Sequence, residues 1–132
     1  EFRAERNPAD ELRSQTALMR ALRQQHRRRE AGEIELEAAA LGAASPDPGL
    51  TLPLVIEAAR LEPAAAARGN LQRAIGQAHA RGYVLLEYQA RLAQAELSLP
   101  AAPARAQLAA LARQAGARGL GRLQAQADAL LH

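Results

Sequence analysis

The sequence has no cysteine, no tryptophan and no lysine, and its only aromatic residues are Phe2, Tyr83 and Tyr88. Without cysteine the chain can form neither a disulfide framework nor a thiolate metal site, so packing must supply its stability. With so few aromatic side chains, leucine and alanine must fill the core. β-Branched residues are also too scarce to furnish a sheet. These absences predict a helical protein without strands.

Alanine, the residue with the highest intrinsic helix propensity, makes up about a quarter of the 132 residues. The fold class is therefore predicted to be all-α, and the length is sufficient for one cooperative core. All 17 basic residues are arginine, and the formal net charge is only +3. This arginine bias is typical of a GC-rich bacterial genome and carries little information about function.

The sequence shows no sign of membrane insertion or secretion. No apolar run approaches the roughly 18 residues that a bilayer-spanning helix requires, and no signal-peptide pattern is present. We therefore expect a soluble, cytoplasmic protein without a membrane partner. The abrupt start at Glu1 and Phe2 is what a piece of a longer protein would show.

The N-terminal third carries a complete helix-start signal, with Asn7 as the N-cap, proline at the first helical position and acidic residues in the first turn. Gly32 interrupts the pattern, so this third can form either a hairpin or one long helix. Segment 45–49 is rich in proline and glycine and predicts a loop. We therefore separate an N-terminal helical region, residues 1–50, from a second region, residues 51–132.

Further helices are predicted throughout the second region. Thr51 is expected to cap a helix that has Pro53 in its first turn and ends near Leu61. Pro63 suits the start of the next helix, which ends at Gly82, an expected left-handed terminator. The remaining predicted helices cover residues 83–99, 103–117 and 120–131.

A repeat of about 37 residues relates these helices. Segment 78–83 is echoed by segment 115–120, and both contain an Arg-Gly break. The positions that map onto one another are Ala67, Leu71, Ala74 and Ala78, and then Ala104, Leu108, Leu111 and Ala115. The helix over 83–99 has apolar residues on two faces, whereas the last helix has one apolar stripe. Inner and terminal helices of a repeat array differ in this way.

The segments 54–61, 66–82, 86–97 and 104–119 resemble the tetratricopeptide-like repeats of bacterial signalling and regulatory proteins, over residues 51–131. The matching positions are Tyr88, Leu92 and Ala95 in one helix, and Ala104, Leu108 and Leu111 in the next. The usual tryptophan and tight Gly-Asp turn are missing. The resemblance implies a short right-handed superhelix of antiparallel helical hairpins that serves as a scaffold for protein–protein interaction.

In such arrays the first helix of a pair commonly lines the concave surface. The resemblance therefore implies that Tyr88, Glu87, Arg91 and Gln94 contact a partner, although Tyr88 also suits a core position. We expect a protein segment to bind in a helical groove, or the chain to form a homo-oligomer through it.

The residues needed for catalysis are not grouped in any known pattern. The hydroxyl-bearing residues lie mostly at caps and in loops, and none follows a strand-to-helix elbow. His26 and His79 lack partners at metal-ligand spacing. The alternating Glu33, Glu35 and Glu37 are typical of a solvated helix face rather than a cation site. We therefore expect a non-enzymatic protein without a cofactor or a metal.

One concentration of charge supports a different function. Arg20, Arg23, Arg27 and Arg28 form a basic face on the N-terminal helical region, which could neutralise nucleic-acid phosphates in a transcription regulator. Against this, glutamates follow at once and no aromatic residues are interleaved to stack on bases. A nucleic-acid-associated domain is therefore the first alternative, and a ligand-sensing domain is the second.

Overall fold

The computed structural model describes residues 7–132, and within that range the chain is helical and has no strand. The helices are α1 Pro8–Gln24, α2 Arg28–Ala43, α3 Pro48–Ala59, α4 Ala64–Arg81, α5 Val84–Leu97, α6 Ala102–Ala117 and α7 Gly121–Leu131. The all-α prediction is thus confirmed for these residues; Glu1 and Phe2 lie outside them. The chain divides into two compact units, with the boundary in the sequence between Glu62 and Pro63. None of the described helices is both long and apolar enough to cross a membrane.

Helix α1 begins where the sequence predicts. The Asn7 side chain accepts a hydrogen bond from the backbone N–H of Ala9 at 2.8 Å. This bond satisfies one of the N–H groups that the first turn of a helix leaves without an intrahelical partner. The buried face of α1 comprises Leu12, Thr16, Met19 and Leu22. It packs against α2 and α3 to form the core of the first unit.

Helices α1 and α2 form a hairpin, which decides between the two alternatives for the N-terminal third. The break is at His26, which has a φ of 61°, and α2 runs through Gly32 without interruption. The N–H of Arg27 donates to the carbonyl of Leu22 at 2.9 Å, in the helix-ending pattern that usually employs glycine. Histidine is among the few other residues enriched in the left-handed conformation. The predicted interruption at Gly32 therefore lies too late in the sequence, because the helix actually ends at a histidine.

Helix α3 begins one turn earlier than predicted. The side chain of Asp47 caps it by accepting a hydrogen bond from the N–H of Gly49 at 2.9 Å. The prediction that Thr51 is the cap is therefore wrong, because an aspartate followed by proline is a complete start signal in itself. Pro53 consequently lies in the second turn rather than the first, where it removes an N–H that would otherwise donate to Gly49.

Helix α3 belongs to the first unit because it packs on both α1 and α2. Leu54 joins the cluster formed by Leu12, Met19 and Leu22. The sequence favours a division at residue 50, but in the structure the non-helical linker is only 44–47, and the chain turns back there rather than starting a new unit.

The second unit contains two helical hairpins that follow the 37-residue repeat. Helix α4 packs along α5, and α6 packs along α7. The turns are at Gly82 and Gly119, with φ values of 72° and 76°. In both turns the next residue donates its N–H to the carbonyl five positions earlier, at 2.9 Å from Tyr83 and 2.8 Å from Leu120. The eight corresponding positions are all buried: Ala67, Leu71, Ala74, Ala78, Ala104, Leu108, Leu111 and Ala115.

Helix α5 is buried on two sides, as its two apolar stripes predict. It packs against α4, α6 and α7, whereas α7 buries only Leu123 and Ala127. The buried apolar residues of α5 are Tyr88, Ala90, Leu92, Ala93 and Ala95. Small alanines let neighbouring helix axes approach closely. The tight turns join α4 to α5 and α6 to α7. The resemblance instead pairs α5 with α6, but these two helices are joined by the longer segment 98–101.

Candidate functional site

A surface groove lies between α4, α5 and α6 in the second unit. It consists of two clefts of about 320 and 560 Å³, and Arg91 and Gln114 line both of them. The polar side chains of the first cleft come from all three helices and are Gln72, Arg91, Gln94, Gln107 and Gln114, and its apolar lining is Ile75, Ala110 and Leu111. We term the two clefts together the amide groove.

The glutamines of the amide groove are positioned by the helix register. Gln94 on α5 donates its amide N–H to the side-chain oxygen of Gln72 on α4, at 3.0 Å. Gln107 and Gln114 are seven residues apart on α6, which places them two turns apart on the same helix face. Their neighbours Leu108 and Ala115 are buried in the core. The packing of α6 therefore fixes the face on which the two glutamines lie.

Glu87 lies at the second cleft but is only 7% exposed. His79 Nδ1 is 3.0 Å from one carboxylate oxygen, and a terminal nitrogen of Arg91 is 2.5 Å from the other. A carboxylate and a guanidinium one turn apart on a helix are well placed to pair. The charge of Glu87 is therefore compensated within the protein, and the pair holds the Arg91 side chain along α5.

Tyr88 is also buried, and its ring is contacted by two cations. The guanidinium carbons of Arg91 and Arg118 lie 6.0 and 5.7 Å from the ring centroid, which is the range of a cation–π contact. Arg118 is exposed, lines the second cleft, and has no carboxylate partner among residues 7–132. The second cleft thus has one guanidinium whose charge is not balanced by a neighbouring carboxylate.

The four residues predicted to contact a partner therefore have different environments. All four line the amide groove, but Arg91 and Gln94 are partly exposed there, whereas Glu87 and Tyr88 are buried and make internal contacts. The sequence prediction misses the contribution of α6 because the resemblance directs attention to α5. The available signal is the seven-residue spacing of Gln107 and Gln114 next to the buried α6 stripe.

In the first unit, a buried carboxylate lies beside two residues of the predicted basic face. Glu57 on α3 is only 3% exposed. One of its oxygens accepts from Arg20 Nε at 2.9 Å and lies 3.5 Å from a terminal nitrogen of Arg23. Arg60 Nη1 lies 3.5 Å from the other oxygen, which has no partner with hydrogen-bond geometry. We term Glu57, Arg20, Arg23 and Arg60 the Glu57 cluster.

The remaining residues of the predicted basic face are on α2 or just before it. Arg27 pairs with Glu30, and this contact holds the pKa of the Glu30 carboxyl below its ordinary value. Arg28 donates to the backbone carbonyl of Arg60 at 3.3 Å. The basic face is therefore not a continuous surface of unpaired arginines, because Arg20, Arg23 and Arg27 all have carboxylate partners.

The glutamates of α2 do not form a ligand set. Among the described residues, no three histidine or carboxylate side chains are grouped closely enough to hold a metal ion. Glu35 is partly buried, which raises its pKa above the ordinary value, and the negative charge of Glu62 adds to this shift. Glu33 instead lies 3.9 Å from Arg29 at the surface.

Comparison of the chain with protein-family models, with curated proteins and with solved structures gives no match.

Proposed function

We propose that this chain is a non-enzymatic interaction module that holds an extended segment of a partner protein in the amide groove. The observation that carries the proposal is the groove itself, in which glutamines from three helices surround a small apolar patch next to an arginine without a carboxylate partner. The tetratricopeptide-like arrangement of the two hairpins is part of the same proposal. The 37-residue repeat of the hairpins supports it.

The spacing of the amides suits an extended main chain. Gln107 and Gln114 are separated by about 10.5 Å along α6, from a rise of 1.5 Å per residue. That distance corresponds to about three residues of extended polypeptide. A side-chain amide both donates and accepts hydrogen bonds, as a peptide group does. The groove can therefore bond the main chain of a segment without requiring a particular side chain at every position.

The charges of the groove favour a partner segment that carries a carboxylate. Arg118 supplies a guanidinium that no carboxylate of residues 7–132 neutralises, and contact with the Tyr88 ring limits its freedom. A guanidinium binds a carboxylate through two parallel hydrogen bonds. We expect an aspartate or glutamate of the segment to bind Arg118, with the neighbouring main chain following the glutamines toward Gln107.

The lining of the first cleft favours a peptide over a small ligand. Its volume of about 320 Å³ falls within the size range of small-molecule sites. Such sites are mostly apolar with a few polar anchors, whereas five of the eight residues that line this cleft are glutamine or arginine. Ligand sensing is accordingly a weaker hypothesis than peptide binding.

The proposal can be tested with an array of immobilised 12-residue peptides of varied sequence, in which each acidic peptide has a matched copy with Asn and Gln in place of Asp and Glu. We expect the protein to bind a subset of the acidic peptides and to lose binding to their amide copies. Arg118→Glu should weaken this binding about tenfold or more, since it removes a charge-assisted pair and adds a repulsive charge.

Arg113→Glu is the matched control, because it makes the same charge change on α6 at an exposed position that does not line either cleft. It should leave peptide binding unchanged. Equal losses in the two variants would mean that net charge, not the groove, controls binding. Failure to bind any peptide, together with a dimer in light scattering that Arg118→Glu dissociates, would show self-association instead.

A further inference from the structure

The first unit carries a group of arginines that the amide groove does not use. Arg20 and Arg23 project from α1 onto the same oxygen of Glu57, and Arg28, at the start of α2, donates to the backbone of the nearby Arg60. Three helices thus bring guanidinium groups to one end of α3. We propose that the exposed edge of this group, formed by Arg20, Arg23 and Arg28, is a binding site for a single phosphate-class oxyanion.

Internal pairing leaves an excess of positive charge among these arginines. Arg20 and Arg23 share one carboxylate oxygen, so these two cations are matched by one negative charge. Arg28 contacts a neutral carbonyl and has no carboxylate partner among the described residues. Two positive charges therefore remain uncompensated, one from the Arg20 and Arg23 pair and one from Arg28, whatever Arg60 contributes. A partly buried positive charge attracts an anion more strongly than a fully solvated one, because it is screened less.

Glu57 also orients the arginines while leaving some of their donors available. The Arg20 side chain is 49% exposed and is bound to Glu57 through Nε at 2.9 Å. That contact leaves the terminal nitrogens of Arg20 to bond elsewhere. Arg23 is more enclosed, with 24% of its side chain exposed. A buried carboxylate that orients two guanidinium groups reduces the conformational entropy that an incoming oxyanion would otherwise have to remove.

The limited extent of the excess charge fits one oxyanion better than a nucleic-acid strand. Of the neighbouring arginines, Arg27 pairs with Glu30 and Arg29 lies 3.9 Å from Glu33. The excess charge is therefore confined to the end of α3 and does not extend along α1 and α2. The tyrosines, which could stack on bases, both belong to the other unit. A compact phosphate group matches a local excess of this size.

The site can be tested by titrating the intact, isotope-labelled chain with inorganic phosphate and with pyrophosphate, following the arginine Nε–Hε signals by NMR. We expect saturable shifts confined to Arg20, Arg23 and Arg28. Arg20→Gln should weaken binding about tenfold, because it removes both a charge and a fork of donors. Arg20→Lys should give an intermediate loss, because lysine keeps the charge but cannot make the paired hydrogen bonds.

Arg13→Gln is the matched control, since Arg13 is an exposed arginine of the same helix that pairs with Asp10 at 3.0 Å. It should bind phosphate as the unchanged chain does. Because Arg23 and Arg60 still contact Glu57 without Arg20, Arg20→Gln should fold, and its circular dichroism spectrum checks this. Shifts of equal size at all arginines, or no saturable shift, would overturn the proposal.

A short DNA duplex, titrated at several salt concentrations, distinguishes a free phosphate group from nucleic-acid phosphates as the source of the oxyanion. The proposal predicts weak duplex binding with a salt dependence equivalent to about one or two neutralised phosphates. A dependence equivalent to six or more would overturn the single-anion site and favour an extended nucleic-acid surface. Neither result bears on peptide binding, since Arg118 and the amide groove belong to the other unit.

Discussion

Gly82→Ala and Gly76→Ala make the same chemical change in one helical hairpin, and we predict opposite effects on stability. Gly76 is in the interior of α4, and a methyl group there would meet nothing within 4 Å. Alanine should therefore stabilise the helix by about 0.5 to 1 kcal/mol, because glycine loses more backbone entropy on folding. Packing contributes nothing to this difference, since the added methyl group gains no neighbour.

Gly82 ends the same helix with a φ of 72°, and a methyl group there would also meet nothing within 4 Å. The cost of alanine is therefore purely one of backbone conformation. An L-residue in the left-handed region costs about 1 to 2 kcal/mol, and the lower entropy of the unfolded alanine chain offsets about 0.4 to 1 kcal/mol of that. We expect a net loss of about 1 kcal/mol, so the two variants should differ by about 2 kcal/mol.

Urea denaturation followed by circular dichroism measures this difference. With a slope of about 1 kcal/mol per molar urea for a small unit, the midpoints of the two variants should be separated by about 2 M. The unchanged chain should lie between them. Equal shifts of both variants in one direction would refute the assignment of Gly82 as a left-handed helix terminator, and with it the structural basis of the 37-residue repeat.

Three further predictions concern single positions. His26→Gly should stabilise the first unit by about 0.5 to 1 kcal/mol in urea denaturation, because glycine adopts the φ of 61° at this turn without strain; a destabilised variant would contradict the turn geometry. Leu92→Ala should lower the free energy of unfolding by about 2 to 5 kcal/mol. Leu85→Ala, on the same helix but 49% exposed, should change it by less than about 0.5 kcal/mol. Equal losses in the two variants would exclude burial of α5 on two sides. Since the pKa of Glu35 is raised above its ordinary 4.5 in the folded state, the folded state binds more protons than the unfolded state between the two values, and stability should fall as pH rises through that window. Glu35→Gln should therefore raise the melting temperature at pH 7, with the advantage shrinking as the pH falls toward 4.5; an advantage that does not depend on pH would exclude titration of Glu35 as its cause.

The second unit could be predicted from sequence because its local signals agree with its packing. The Gly breaks at 82 and 119 and the alanine and leucine register between them specify both the turns and the buried faces. The equal spacing of the two glycine breaks then reveals the repeat from the sequence alone. The boundaries of α4 to α7 accordingly lie within one or two residues of those predicted.

The N-terminal third was harder to predict because its deciding residues are unusual for their positions. The turn after α1 has histidine where glycine is expected, and nothing in the sequence distinguishes His26 from a histidine on the helix face. Nor does the sequence reveal that Glu57 of α3 is buried, because Arg20 and Arg23 approach it from another helix. Long-range ion pairs of this kind leave no periodic pattern in a sequence.

The candidate site, too, can be predicted only in part from the sequence. The sequence predicts a site on α5, where Arg91 and Gln94 do line the amide groove, but it does not reveal that Glu87 is enclosed by His79 and Arg91. Nor could it include Arg118, because that residue reaches Tyr88 only when α6 packs beside α5. Residues on one helix can be grouped from their spacing, whereas a groove between three helices requires their packing.

The two units attach a third helix to a hairpin by different means. In the second unit, α6 packs on α5 through small and apolar side chains such as Ala95 and Leu108, a mode that can be repeated with each added hairpin. In the first unit, α3 brings a buried carboxylate to arginines of α1 as well as an apolar face. A buried charge is costly without its partners, so the Glu57 cluster favours one placement of α3 over others. Because Arg20 and Arg23 carry more positive charge than Glu57 neutralises, the arginines that contact α3 also create the positive edge where we propose that an oxyanion binds.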